Sequence, residues 1–202
     1  MDTNELGQDR GASRRRFLRA GAAGAVLTAA VPVAARTAAA QSGGSPPRRP
    51  SRADVTVLRF LQGVEWAAHE LYELALAGGG YGEDLAPVMA AMSFHHRSYA
   101  EAISGMLGPD ANNVGNEAVF GQFQVRFSNP STAIDAAYRL EDTAVATHTE
   151  HLGTLEGTEG AALIASILVV EARHATVMAT LRGVTDADAL LTTTSTPLEV
   201  TP

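Results

Sequence analysis

Glu171-Ala172-Arg173-His174 sets a carboxylate and an imidazole three residues apart. On a helix that step puts both side chains on one face, about one turn from each other. A lone pair of this kind is common on exposed helices. It gains weight from Glu65, His96 and Glu141, each of which stands where a repeating apolar pattern calls for a hydrophobic residue. Unpaired carboxylates are costly to bury, so three at one level must neutralise, repel or share a cation. Carboxylate oxygen and neutral imidazole nitrogen are good ligands for iron or manganese. The chemistry on offer is that of a metal centre.

Four stretches carry the helical period that would position these five residues. Segment one, about 53–78, aligns Leu58, Leu61, Glu65, Ala68, Tyr72 and Leu76, and Gly78-Gly79-Gly80 stops it. Segment two, about 84–107, aligns Met89, Met92, His96, Tyr99, Ile103 and Met106 before Gly108-Pro109. Segment three follows Pro130, with Ser131 or Thr132 as the expected cap. Its seam is Ile134, Ala137, Glu141, Ala144, His148, Leu152 and Leu155. Segment four, about 160–182, aligns Ile164, Ile167, Glu171, His174, Met178 and Leu181, and closes at Gly183.

Short connections inside the first and second pairs imply antiparallel neighbours. Residues 109–130 show no helical pattern and are long enough to cross from one end of a bundle to the other. The expected class is all-α: two antiparallel hairpins joined by one long crossover between helices two and three. In such a bundle the midpoints of the four helices meet at one level, and each midpoint carries one or two of the five ionisable residues.

On these residues the chain, over about 53–183, resembles the ferritin-like superfamily of diiron or dimanganese carboxylate proteins, which are four-helix bundles. Glu65 matches the single Glu of helix one, and the Glu65-x6-Tyr72 spacing also fits. Glu141 matches the Glu of helix three, and Glu171-x-x-His174 matches the pair on helix four. Helix two departs from the pattern, because His96 is in place but Ser93 stands where the second bridging Glu belongs. Three Glu and two His remain. The manganese catalases of the superfamily reach the same count, but keep the bridging Glu on helix two.

The resemblance implies a dinuclear iron or manganese centre held by Glu65, His96, Glu141, Glu171 and His174, with Glu171 bridging. Glu65 and His96 would hold one ion, Glu141 and His174 the other. The implied activity is ferroxidase- or catalase-like, toward oxygen, peroxide or ferrous ion. The alternative is an inherited bundle whose site has decayed into buried salt bridges, serving a binding or structural role.

Other candidates rank lower. His69, one turn from Glu65, reads as a helix-face partner, and His95, beside the seam, is expected to face outward. His148, on the seam two turns from Glu141, fits either a satisfied core histidine or a hydrogen-bond partner of the ligands. His151 is expected at the surface. Tyr72 and Tyr99 could bond to ligands or pack the core, and Met89, Met92, Met106 and Met178 read as core filler.

The N-terminus has the three zones of an export signal. Ser13-Arg14-Arg15-Arg16-Phe17-Leu18 is similar to the twin-arginine consensus. The apolar stretch 20–35 follows, and Ala38-Ala39-Ala40 offers small side chains for cleavage before Gln41. That stretch is shorter than the ~20 apolar residues a spanning helix needs, so no permanent anchor is expected. The expected organisation is a signal over 1–40, a disordered Gly/Pro/Ser linker over 41–52, the bundle over 53–183, and a flexible, Thr-rich tail over 184–202.

The leader holds six of the 15 arginines and three of the 22 acids, leaving 9 basic and 19 acidic residues after cleavage. That surface repels nucleic acid and anionic lipid. There is no cysteine, which excludes disulfides, iron–sulfur clusters and a thiol nucleophile. Expected partners are metal ions, the twin-arginine translocase during export and further copies of the chain in a homo-oligomer. The expected location is across the cytoplasmic membrane, in the periplasm, cell wall or medium.

Overall fold

The computed structural model describes residues 49–200. The signal (1–40) and linker positions 41–48 lie outside the described residues. Among those described, all regular structure is helical: α1 (Arg52–Gly78), α2 (Ala86–Leu107), a 3-10 turn (Gly108–Asp110), α3 (Glu117–Phe127), α4 (Pro130–Leu152), α5 (Thr158–Leu181) and α6 (Ala187–Leu191). They form a helical bundle in which α1 packs along α2 and α4 along α5.

Local chemistry fixes the helix ends. Ser51 caps α1 through a capping box with Asp54. Gly79 and Gly80, with φ of 68° and 87°, end α1 in a conformation that only glycine adopts cheaply. Pro87 opens α2, and Gly108 at φ 58° closes it. On α4 the cap is Asn129, whose side chain accepts from Ser131 N, with Pro130 as the first helical residue. Ser131 or Thr132, the caps expected from the sequence, lie inside the helix. The cap lies further back because proline suits the first turn, where its missing N–H has no role.

Asp54 also joins distant parts of the chain. Its carboxylate is buried and accepts from Ser51 N at 2.8 Å, Glu156 N at 2.8 Å and Gly157 N at 2.9 Å. The start of α1 is thereby clamped to the α4–α5 turn. A Cβ on Gly157 would lie 2.8 Å from Arg49 O and 2.9 Å from Asp54 Oδ2, so the clamp requires glycine.

Most of the core lies on the seams read from the sequence, with Leu71 and Leu140 added from beside them, while Leu181 of the fourth seam is exposed. Leu58, Leu61, Leu71, Tyr72, Met89, Ile103, Leu140, Ile164, Ile167 and Met178 are all fully buried. At about 25 cal/mol per Å² of apolar surface, such a core is the main force holding the helices together. Among the described helices, α5 alone is long and apolar enough to cross a membrane by length and composition. Its polar residues Glu171 and His174 are buried inside the bundle.

Two segments differ from expectation. The connection 109–130 contains α3, an 11-residue helix capped by Asn116, which buries Val119, Phe123 and Phe127. Asn116 N donates to Gly63 O at 2.8 Å and Asn112 N to Gln62 Oε1 at 2.9 Å, so this segment is tied to α1. Residues 184–200, read as part of a flexible tail, follow a defined path along α4. Asp142 Oδ2 accepts from Thr194 N and Ser195 N, Thr147 Oγ1 accepts from Leu198 N, and His151 Nε2 donates to Leu198 O.

Candidate metal centre

Glu65 comes from α1, His96 from α2, Glu141 from α4, and Glu171 with His174 from α5. Each sits on the inward seam of its helix, and all five are buried, His174 at 4% exposure and the rest at 0%. His96 stands at the middle. Its Nδ1 lies 2.8 Å from Glu65 Oε2 and its Nε2 3.1 Å from Glu141 Oε1. His174 Nδ1 lies 3.3 Å from Glu141 Oε2. Glu171 Oε1 sits between the two imidazoles, 3.7 Å from His96 Nδ1 and 3.7 Å from His174 Nδ1. His96, Glu141, Glu171 and His174 each offer a donor atom within 4.8 Å of the others, a spacing at which they could hold a metal ion.

The polar accounting points the same way. Among the described residues, seven buried side-chain nitrogen or oxygen atoms have no hydrogen-bond partner. Six of them belong to this layer: Glu65 Oε1, Glu141 Oε2, both oxygens of Glu171, His148 Nε2 and His174 Nδ1. Buried polar atoms are normally satisfied, and an unpartnered one costs about 1–3 kcal/mol. Six in one layer, all carboxylate oxygens or imidazole nitrogens, are a donor set that fits a metal ion.

Charge in the layer is strongly perturbed. Burial pushes Glu171 well above the usual carboxylate range; His96 opposes this, while the neighbouring Glu141 and Glu65 add to it. For Glu141 burial acts in the same direction, but His96 and His174 outweigh it and hold the carboxyl well below its usual range. Glu65 is brought to about 2 against burial by the imidazoles of His148 and His96. His96 is raised well above an ordinary histidine, despite burial, by Glu171 and Glu141. Both shifts run toward the protonated form, Glu171 through burial and its acidic neighbours, His96 through the carboxylates around it.

Around the five donors, Tyr72 and His148 take partners within the range expected of them, whereas His95, His151 and His69 do not. Tyr72 donates to Glu141 Oε1 and stacks on His96. Burial and the Glu141 charge raise its phenol, so it stays a donor. His95 does not face outward. Its ring stacks on His174 at 5.1 Å, with Nδ1 2.9 Å from His174 Nε2. His148 is fully buried, with Nε2 3.0 Å from Glu65 Oε1. His151, expected at the surface, is 6% exposed beneath Leu198. His69 turns across to α2, where Nδ1 lies 2.9 Å from Ser93 Oγ. Ser93 in turn donates to Glu73 Oε1, so its hydroxyl serves α1 and not the layer.

A groove of about 590 Å³ between α2 and α5 reaches the layer from outside, lined in part by Val88, Met92, His95, Tyr99, Arg173 and His174. A separate recess of about 540 Å³, between α1 and the segment 112–116, touches none of the donors.

No curated protein and no solved structure matches the chain significantly. The family model of the ferritin-like domain matches residues 53–184, nearly the whole helical portion that holds the five donors. The chain belongs to the ferritin-like domain family.

Proposed function

We propose that this domain holds two iron or manganese ions in the layer formed by Glu65, His96, Glu141, Glu171 and His174. In this reading its four long helices take the ferritin-like arrangement, with α3 riding on the crossover between α2 and α4. The observation that carries it is the convergence of six unpartnered donor atoms on one buried layer. A multivalent cation satisfies them together. Glu65 and His96 would hold one ion, Glu141 and His174 the other, with Glu171 between them.

Ions bound there would supply redox chemistry toward oxygen, peroxide or ferrous ion. The chain's own residues orient and protect the site. Tyr72 fixes Glu141 through Oε1, leaving Oε2 toward His174. His174 presents Nδ1 to the layer, so its hydrogen sits on Nε2 and is donated to His95 Nδ1. The α2–α5 groove admits a small molecule to that wall, and Val88 and Met92 keep much of its surface apolar.

The same reading places the domain outside the cytoplasmic membrane, delivered by the twin-arginine translocase. Support comes from Ser13–Leu18, the apolar stretch behind it and Ala38-Ala39-Ala40.

One observation favours a second reading. His96 reaches Glu65 and Glu141 with both ring nitrogens, which an imidazolium satisfies with no metal present. The domain would then be a non-catalytic bundle with a salt-bridged core, serving a binding or structural role.

Metal analysis after mild purification, with melting curves before and after chelation, separates the two. The metal reading expects about two equivalents of iron or manganese per chain. It also expects a melting temperature that falls on chelation and returns with Mn²⁺ or Fe²⁺. An ion at a hundred times its dissociation constant stabilises by about 2.7 kcal/mol. No metal uptake and an unchanged melt would establish the salt-bridged reading.

A further inference from the structure

His148 follows Glu141 by two turns on α4 and is fully buried. Its Nδ1 lies 2.8 Å from Ala144 O. A carbonyl oxygen only accepts, so Nδ1 carries a hydrogen, and Nε2 is the ring atom turned to the layer. It faces Glu65 Oε1 at 3.0 Å. Both atoms are buried, and both are among the unpartnered six.

The separation fits two ligands of one ion. Two donors at right angles on one ion, each about 2.1 Å from it, lie about 3.0 Å apart.

We infer that His148 is a third imidazole ligand of the centre, binding through Nε2 the ion it shares with Glu65. The inference rests on the metal-centre reading above. It also resolves the shortfall at Ser93, whose hydroxyl is engaged with Glu73 and His69. The donor missing from α2 is supplied by α4. The hydrogen bond to Ala144 O is what a ligating histidine needs, since it fixes the tautomer and aims the free nitrogen.

The test is Mn²⁺ titration by calorimetry of the full mature chain, wild type against His148→Leu, with melting curves of both in chelator. Leucine fills much of the ring's volume and offers no donor. Binding of two equivalents by wild type, with the variant losing one or binding it at least tenfold more weakly, supports the inference. The chelated melts establish that the variant is folded before its titration is read. Unchanged stoichiometry and affinity in folded His148→Leu would overturn the assignment while leaving the metal centre standing. If wild type itself takes up no Mn²⁺ or Fe²⁺, the centre falls, and His148 with it. Should the variant fail to fold, ¹⁵N-histidine spectra of wild type with Zn²⁺ decide. Three metal-bound imidazoles support the assignment, and two overturn it.

Discussion

The pair formed by α4 and α5 brings Glu141, His148, Glu171 and His174 to the buried layer, whereas α1 and α2 bring only Glu65 and His96. The surroundings differ as well. Glu141 is held by Tyr72 and touches both His96 and His174, while Glu65 touches His96 and His148 alone. On α2, the residue one turn before His96 is a serine bonded away from the layer. The second pair therefore carries most of the donors of the site, and the first supplies one per helix. A site can lose a carboxylate from one helix and stay populated with donors, because the layer draws on every helix that crosses it.

The sharpest break in that comparison is Glu141→Gln. It removes the carboxylate that faces two imidazoles and Tyr72, leaving protonated groups without a counter-charge. Breaking a buried ion pair costs about 3–5 kcal/mol, so a large fall in the melt of the chelated protein is expected, with loss of metal uptake. Glu65→Gln should cost less, since fewer partners depend on it. Equal losses in urea melts of the two variants would show that the halves are equivalent.

Ser93→Glu tests the weaker half by restoring its missing acid. Ser93 is 2% exposed and bonded to Glu73 and His69, so a longer acid must push into packed space beside another carboxylate. Overpacking costs about 1–3 kcal/mol, and the single change should destabilise with no gain in metal. Adding Glu73→Gln removes the rival charge. The double variant should recover part of the loss and tighten Mn²⁺ binding. Tighter binding by the single variant would show that the serine side chain turns freely toward the layer.

The smallest effect lies away from the layer, at the clamp that ties α1 to the α4–α5 turn. Asp54→Asn weakens three backbone hydrogen bonds to a charged acceptor, a loss of about 2 kcal/mol. Burial raises the Asp54 pKa, but the N–H groups of Ser51, Glu156 and Gly157 outweigh it and bring it below the ordinary aspartate value. The clamp's contribution is therefore complete above the unfolded pKa and is lost as pH falls through the lowered folded one. The stability gap between wild type and Asp54→Asn should be full at pH 7 and narrow in acid. A gap independent of pH would show that shape, not charge, holds the turn.

The long helices and their polar interruptions were legible because a step of three or four residues reports helix face directly. Glu65, His96, Glu141, Glu171 and His174 all lie on seams, and all five meet. What the spacing could not report is direction within a face. Ser93 and His96 are one turn apart on α2, yet one bonds toward α1 and the other enters the layer. His148 looked like either a core histidine or an auxiliary partner, since only tertiary packing shows that its Nε2 meets Glu65. His95 lies off the seam and reaches His174 sideways, across to α5. The helix α3 escaped notice because Asn112, Asn113, Gly115 and Gly121 dominate its segment. Val119, Phe123 and Phe127, four residues apart, were the signal that could have found it.

The contacts that fasten residues 194–198 to α4 have a consequence for the donors. Asp142 and Thr147 are the direct sequence neighbours of Glu141 and His148, so the segment that covers the outer side of the donor helix is anchored one residue from each of them. Asp142 is a buried acceptor whose partners come from that segment. Prising the cover away would strand its charge, so the outer strap and the inner donors are held in place by the same stretch of helix.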